Sequence, residues 1–254
     1  MRSFFNVQGL HKSFGAVKAL NGCSFEVFEG DILGIVGPNG AGKTVTLNVI
    51  CGELKPEQGK VSFKRNDITG LPPYEIVKLG ISRTFQLTRI YPEMTVLENM
   101  LFAAQRKEFL YNFLQLLEGR LSADTDIENR QRALDLLEIL ELFHLRDARG
   151  RELSYGQRKL LELANALITY PKPQIVMLDE PLAGINPVMT KKIAEHIRTF
   201  QETGITFVIV EHNVRLLADL CNRMVVLAQG KKIAEGPPED VQRDPVTIDA
   251  YFGE

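Results

Sequence analysis

No apolar run in the 254-residue chain approaches the ~20 residues that cross a bilayer as a helix. A membrane-spanning helix is therefore not expected in this sequence, and any membrane role must come through a partner. The opening, Met1-Arg2-Ser3-Phe4-Phe5-Asn6, has no secretory-leader pattern. Cysteine is sparse. Cys23, Cys51 and Cys221 are far apart, and none belongs to a Cys/His cluster with metal-ligand spacing, so they read as buried thiols in a reducing compartment. Internal repeats and low-complexity tracts are absent. A net charge of -2 gives no bulk attraction to a polyanion, so nucleic acid is not an expected partner. Hydrophobic content of 44% and charged content of 24% suit a globular protein, long enough for one large domain or a core with a subdomain. A cytoplasmic location is expected.

What the chain does have is Gly37-Pro38-Asn39-Gly40-Ala41-Gly42-Lys43-Thr44, a complete G-x-x-x-x-G-K-[ST] phosphate loop. An apolar run, Ile32 to Val36, leads in, and a helix-forming stretch from Thr46 to Ile50 leads out. Glycines let backbone N–H groups turn onto phosphate oxygens, and the helix N-terminus adds positive partial charge. Lys43 would reach the β- and γ-phosphates, and the Thr44 hydroxyl would hold Mg²⁺.

The rest of the chain alternates strands and helices. Residues 4 to 36 are β-rich, and Ser24 to Phe28 alternates polar and apolar as a half-buried strand does. Gly59 to Arg65 reads as a strand, Pro72-Pro73 as the start of a short helix, and Ile81 to Phe85 as a strand with Gln86 at its end. From Leu87 to about Leu145 the texture turns helical. Thr95-Val96-Leu97-Glu98 is a capping-box pattern, Phe109 to Leu117 is aromatic and leucine-rich, Ala123 to Asn129 is a polar loop, and Ile127 to Phe143 has helical spacing. Ser154 is placed to N-cap a helix running to Tyr170. Ile175 to Leu178 is a continuous apolar run, as in a strand buried on both faces, and ends in Asp179-Glu180. Pro187 suits the first turn of a helix to about Thr203. Ile205 to Val210 is a second buried strand, ending at Glu211-His212. A hairpin about Gln229-Gly230 and short tail helices follow. The order predicts an α/β core with a mostly parallel sheet.

Asp179 at a strand end can hold Mg²⁺, partly through water or through Thr44. Glu180 is then free to orient a water for in-line attack on the γ-phosphate. His212 could bond the γ-phosphate and that water, and the Gln86 amide could contact the metal. Leu153-Ser154-Tyr155-Gly156-Gln157 joins an N-cap hydroxyl, a glycine and a helix N-terminus in a second anion site. One phosphate chain does not need two such sites. A head-to-tail dimer with two sandwiched nucleotides accounts for both, each phosphate loop facing the other subunit's Ser154–Gly156 segment.

At this point the chain resembles the ATP-binding-cassette family over nearly its whole length. Gly37 to Thr44 matches Walker A, Gln86 the Q-loop, Leu153 to Gln157 the signature, and Ile175 to Glu180 Walker B with its catalytic glutamate. Ala183 to Asn186 sits at the D-loop and His212 at the switch histidine. Phe14, which alone reads as a core residue, sits where the family stacks adenine. Val45 replaces a common hydroxyl residue, leaving its backbone N–H for the α-phosphate, and Asn186 replaces the usual D-loop aspartate. The resemblance implies a RecA-like phosphate-loop core with an antiparallel β subdomain (1–86 and 171–254) and an inserted helical subdomain (87–170) in a single ATPase domain. It implies ATP and Mg²⁺ as ligands, with hydrolysis to ADP and phosphate. It also implies a second cassette subunit, identical or different, integral membrane permease subunits, and an external substrate-binding protein, with the chain on the cytoplasmic face of the inner (plasma) membrane. A groove near Gln86 and Leu87 to Met94 would receive a cytoplasmic helix of the permease. The D-loop Ala-Gly-x-Asn-Pro and the ending Glu235 to Gly253 resemble the ATP-binding subunits of branched-chain amino acid importers. Lipopolysaccharide-export, urea-import and soluble cassette ATPases are neighbouring readings.

Overall fold

The computed structural model describes residues 3–84, 90–104 and 123–252. Two sheets organise the described chain. β1 (Ser3–Phe14), β2 (Val17–Phe28), β4 (Gln58–Phe63) and β5 (Asn66–Asp67) form an antiparallel sheet in the order β2-β1-β4-β5. In β2, buried Phe25 and Val27 flank exposed Glu26, the alternation of a sheet with one covered face.

The second sheet has the order β10-β9-β3-β8-β7-β6, from β3 (Ile32–Val36), β6 (Ile81–Arg83), β7 (Ile175–Asp179), β8 (Thr206–Val210), β9 (Arg223–Ala228) and β10 (Lys231–Gly236). All neighbours run parallel except β9 and β10, which form a hairpin. Gln229 and Gly230 turn that hairpin with φ of 48° and 75°, the left-handed pair a two-residue hairpin loop needs. β3, β7 and β8 are buried at every residue, which is why they read as unbroken apolar runs.

Successive side chains on these strands enter different cores. Val176, Leu178, Phe207, Ile209 and Val226 pack with the helices, among them Leu137, Leu161 and Ile197. Ile175, Met177, Val208, Val210 and Leu227 pack with Phe5, Val27, Leu47 and Ile50. The central sheet thus has the antiparallel sheet and α1 (Lys43–Ile50) on one face and most of the helices on the other. All three cysteines are buried and unbridged, as expected.

α2 (Pro73–Lys78) precedes β6. Between β6 and β7 lie α3 (Val96–Ala104), α4 (Ala123–Ile139) and α5 (Tyr155–Leu167). The Thr95–Glu98 capping box is present: Thr95 N donates to Glu98 Oε2 at 2.7 Å and Glu98 N to Thr95 Oγ1 at 3.1 Å. Three boundaries differ from expectation. Ala123 to Asn129 is the first part of α4, not a loop. Its polar composition suits an outward helix face, with Ile127, Glu128 and Arg130 exposed. α4 stops at Ile139 rather than Phe143 because Glu141 takes φ 56°, off the helix, and Phe143–Leu145 forms a separate 3-10 turn. α5 ends at Leu167, short of Tyr170. Phe85 and the Phe109–Leu117 stretch lie outside the described residues. α6 (Pro187–Glu202) follows β7, α7 (Val214–Ala218) follows β8, and α8 (Pro238–Arg243) and α9 (Pro245–Phe252) close the chain.

Candidate functional site

Parallel pairing of β3, β8 and β7 brings their C-terminal ends to one edge, with β8 in the middle. β3 delivers Gly37 and the loop after it, β7 delivers Asp179 and Glu180, and β8 delivers Glu211 and His212. Segments remote in sequence therefore meet around one space, the usual place for ligands of open α/β sheets.

The Gly37–Thr44 loop is braced from both sheets. Gly230 N, in the β9–β10 turn, donates to Ala41 O at 3.1 Å, and Asn21 N donates to Gly230 O at 2.8 Å. Gly42 has φ 99°, and a Cβ there would lie 2.4 Å from Ala19 O, so only glycine fits the turn into α1. Gly42 is also the N-cap of α1 and offers no side-chain cap, so the first-turn N–H groups keep their anion-binding direction. Lys43 is buried. Its ammonium donates to Gly37 O at 2.7 Å and Pro38 O at 2.9 Å, holding its charge inside the loop. Burial lowers the Lys43 pKa, against Glu180, Asp179 and Glu211, which raise it. Thr44 follows, half-buried. Val45 packs against the core beneath the antiparallel sheet.

Asp179 is buried, and Arg83 Nη2 donates to its Oδ2 at 3.0 Å. Burial raises the Asp179 pKa, with Arg83 opposing. Its Oδ1 is buried with no hydrogen-bond partner. A half-satisfied carboxylate at this edge is a donor suited to a hard divalent cation, so the residues present fit Mg²⁺.

Glu180 has φ 50°, a left-handed conformation unusual for a side chain with a Cβ. Its N–H donates to Val210 O at 2.9 Å, and the Leu182 N–H donates to Glu211 Oε1 at the same distance. His212 is 52% exposed, with Nδ1 3.7 Å from Glu211 Oε2. Phe14 stands at the tip of the β1–β2 hairpin, 49% exposed, with the Lys12 ammonium 5.8 Å from its ring centroid. The core reading of Phe14 is therefore wrong, and a free aromatic face stands in its place.

The segment expected to form a second anion site lies elsewhere. Ser154 caps α5 in a reciprocal box: Gln157 N donates to Ser154 Oγ at 3.3 Å and Ser154 N to Gln157 Oε1 at 2.8 Å. A Cβ on Gly156 would meet Met189 Cγ at 2.7 Å, and Tyr155 lies against Gly184. α5 packs on α3, β6 and β7, whereas the phosphate loop sits beside β2 and the β9–β10 turn. The two sites thus face different surroundings within one chain. Gln86 lies outside the described residues.

Sequence reasoning missed two site residues. Arg83, the partner of Asp179, is a lone cation on a short buried strand. Glu211 closes the apolar run from Ile205 to Val210, the same signal that exposed Asp179, but His212 beside it drew the attention.

A family model described as "ABC transporter" matches residues 20–183, and one described as "Branched-chain amino acid ATP-binding cassette transporter" matches residues 231–254. A probable branched-chain amino acid transport ATP-binding protein LivG of Archaeoglobus fulgidus is 39% identical, covering 97% of this chain and 94% of that protein. A high-affinity branched-chain amino acid transport ATP-binding protein LivG of Escherichia coli is 36% identical, covering 98% and 97%. Among solved structures, an ATP-binding cassette of an ABC transporter in its ADP conformation matches with TM-score 0.86 at 36% identity, covering all of both chains. A dimeric bacterial ABC transporter cassette matches with TM-score 0.76 at 26% identity, covering 92% of this chain and 98% of that one.

Proposed function

Because the chain belongs to the ABC transporter family, we propose that it is the ATP-hydrolysing subunit of an importer for branched-chain or other hydrophobic amino acids. The observation that carries this reading is the full-length likeness to branched-chain amino acid transport ATP-binding proteins, together with the match of the C-terminal segment to a family model of the same description.

The site supports a division of labour. Backbone N–H groups of Gly37–Thr44 and the Lys43 ammonium bind the triphosphate, and Phe14 offers a ring for adenine. Thr44 and Asp179, with Gln86, would hold Mg²⁺, which supplies charge neutralisation for the β- and γ-oxygens. Glu180 orients and polarises the attacking water and accepts its proton, and His212 donates a hydrogen bond at the γ-phosphate. Ser154, Gly156 and Gln157 complete the site on a second subunit's nucleotide, so two cassettes close head to tail and the 87–170 segments move with closure.

In this reading the pore belongs to permease subunits and the chain is peripheral, on the cytoplasmic face of the membrane; no described helix is long and apolar enough to cross a membrane. An apolar cavity of about 280 Å³ supports that assembly. It is lined by Ile76, Val77, Tyr91, Phe102 and Ala103, close to the expected groove, and suits an incoming permease helix. An external substrate-binding protein delivers the amino acid.

The test is reconstitution with the neighbouring permease subunits in proteoliposomes. Leucine uptake should require internal ATP, and Glu180→Gln should abolish uptake and lower kcat by about 10²-fold or more while ATP still binds. Hydrolysis by Glu180→Gln at the parent rate would sink the assignment of Glu180. Uptake of no hydrophobic amino acid would sink the substrate class.

A further inference from the structure

We infer that Glu211 is a positioning residue for hydrolysis: its carboxylate captures the Leu182 N–H and so locks the turn that holds Glu180 in its left-handed conformation. The inference rests on the reading of Glu180 as the group that activates water.

Glu211 is fully buried at the end of β8. Its backbone N–H donates to Ile35 O at 3.1 Å, tying it to the strand that delivers the phosphate loop. Its side chain reaches sideways to the end of β7. There Oε1 accepts the N–H of Leu182 at 2.9 Å, two residues beyond Glu180. Glu180 itself is bonded through its N–H to Val210 O, the residue before Glu211. The two bonds, from Val210 and Glu211, grip the chain on either side of the Glu180 carbonyl. That grip makes a φ of 50° tolerable at a residue that is not glycine. Leu182 is buried in the helical-side core, so its N–H has no solvent to turn to if Glu211 is lost.

Other groups confirm that this carboxyl is placed rather than incidental. Its Oε2 is buried without a hydrogen-bond partner and lies 3.7 Å from His212 Nδ1. Burial pushes the Glu211 carboxyl up to about 7, with the Leu182 N–H opposing, Glu180 adding to the rise, and the His212 backbone N–H and Lys159 of α5 lowering it. A buried carboxyl that bonds the turn just after Glu180 and lies 3.7 Å from His212 Nδ1 is best explained by what it holds in place. Its accepting oxygen, not its charge, is what the Leu182 N–H requires.

The experiment compares Glu211→Leu, which keeps the volume and removes the acceptor, with Glu211→Gln, which keeps an accepting oxygen. Replacing a buried charge by a similar apolar volume commonly leaves a protein folded. Steady-state kcat, KM for ATP and nucleotide affinity are measured for both, beside Glu180→Gln. Glu211→Leu should lose about 10- to 100-fold in kcat, since small misplacements of a reacting group cost that much. Its nucleotide affinity should stay within about twofold, and Glu211→Gln should stay within about threefold of the parent kcat. A Glu211→Leu protein with parent kcat overturns the inference, as does a Glu211→Gln protein as impaired as Glu211→Leu. A loss that follows nucleotide affinity also overturns it. Amide exchange in the unsubstituted protein is an independent check that needs no variant. The Leu182 amide should be protected, and rapid exchange there would overturn the inference. If Glu180→Gln retains the parent rate, the reading of Glu180 fails instead, and that result is separable from the others.

Discussion

Two residues in the site carry buried charges for different reasons. Lys43 is surrounded by carbonyls of its own loop, and Asp179 by Arg83 and an unused oxygen. Lys43→Ala removes the one side-chain cation of the phosphate loop, and loss of charge-assisted bonds worth about 1.5–3 kcal/mol should weaken ATP binding roughly 10- to 100-fold in a calorimetric titration. Glu211 predicts a pH effect. Its native pKa of about 7 stands above the ordinary 4.5, so between those values the native state holds a proton that the unfolded state has released. The contribution of Glu211 to stability therefore falls as pH rises through that window, by at most about 3 kcal/mol. Denaturation of the parent at pH 5 and pH 7 should show this slope, and Glu211→Gln should flatten it.

At the scale of elements, helix starts are set by short side chains. Asn186 stands where the family has an aspartate, and its side chain accepts the Met189 N–H at 2.9 Å, with Pro187 in the first helical turn. An amide caps as well as a carboxylate, so the departure leaves α6 intact. Asn186→Ala should cost about 1 kcal/mol and show as a lower Tm with the fold unchanged by circular dichroism. The same local chemistry explains what was legible in the sequence. The Thr95–Glu98 box, Ser154 as an N-cap and the Gln229-Gly230 turn are read from local sequence, and the structure holds each of them, adding the return bond from Ser154 N to Gln157. The buried strands are legible because both faces are covered, so apolar residues dominate them up to the site, with Thr206 the polar residue buried in β8. Legibility fails where tertiary context decides. Early in α4 Ile127, Glu128 and Arg130 are exposed, and nothing local marks Glu141 as the residue that leaves the helix. Arg83 and Glu211 are meaningful only through partners far away in the sequence, Asp179 at the end of β7 and Leu182 in the turn after it.

At the scale of the molecule, the site lies along one edge of the central sheet and the apolar cavity beside β6 and α3. Tyr91 and Phe102 stack edge to face there, centroids 4.8 Å apart, each close to half exposed. A charge in that cavity should break docking without touching chemistry. Phe102→Glu is expected to keep the isolated subunit's ATPase rate while losing co-purification with the permease from detergent-solubilised membranes. Retention of the complex would move the docking surface elsewhere.

The alternation that sends Val176 and Leu178 into one core and Ile175 and Met177 into the other also limits how this protein can change by descent. One residue gained or lost inside a central strand would exchange the two cores and swing every later side chain to the wrong face. Length variation is thereby restricted to the connections, and the strands can diverge only by substitution, apolar for apolar. The strand ends that carry Gly37, Asp179 and Glu211 therefore hold their phase only while strand length is kept, which leaves the connections as the place where length can change without disturbing that edge.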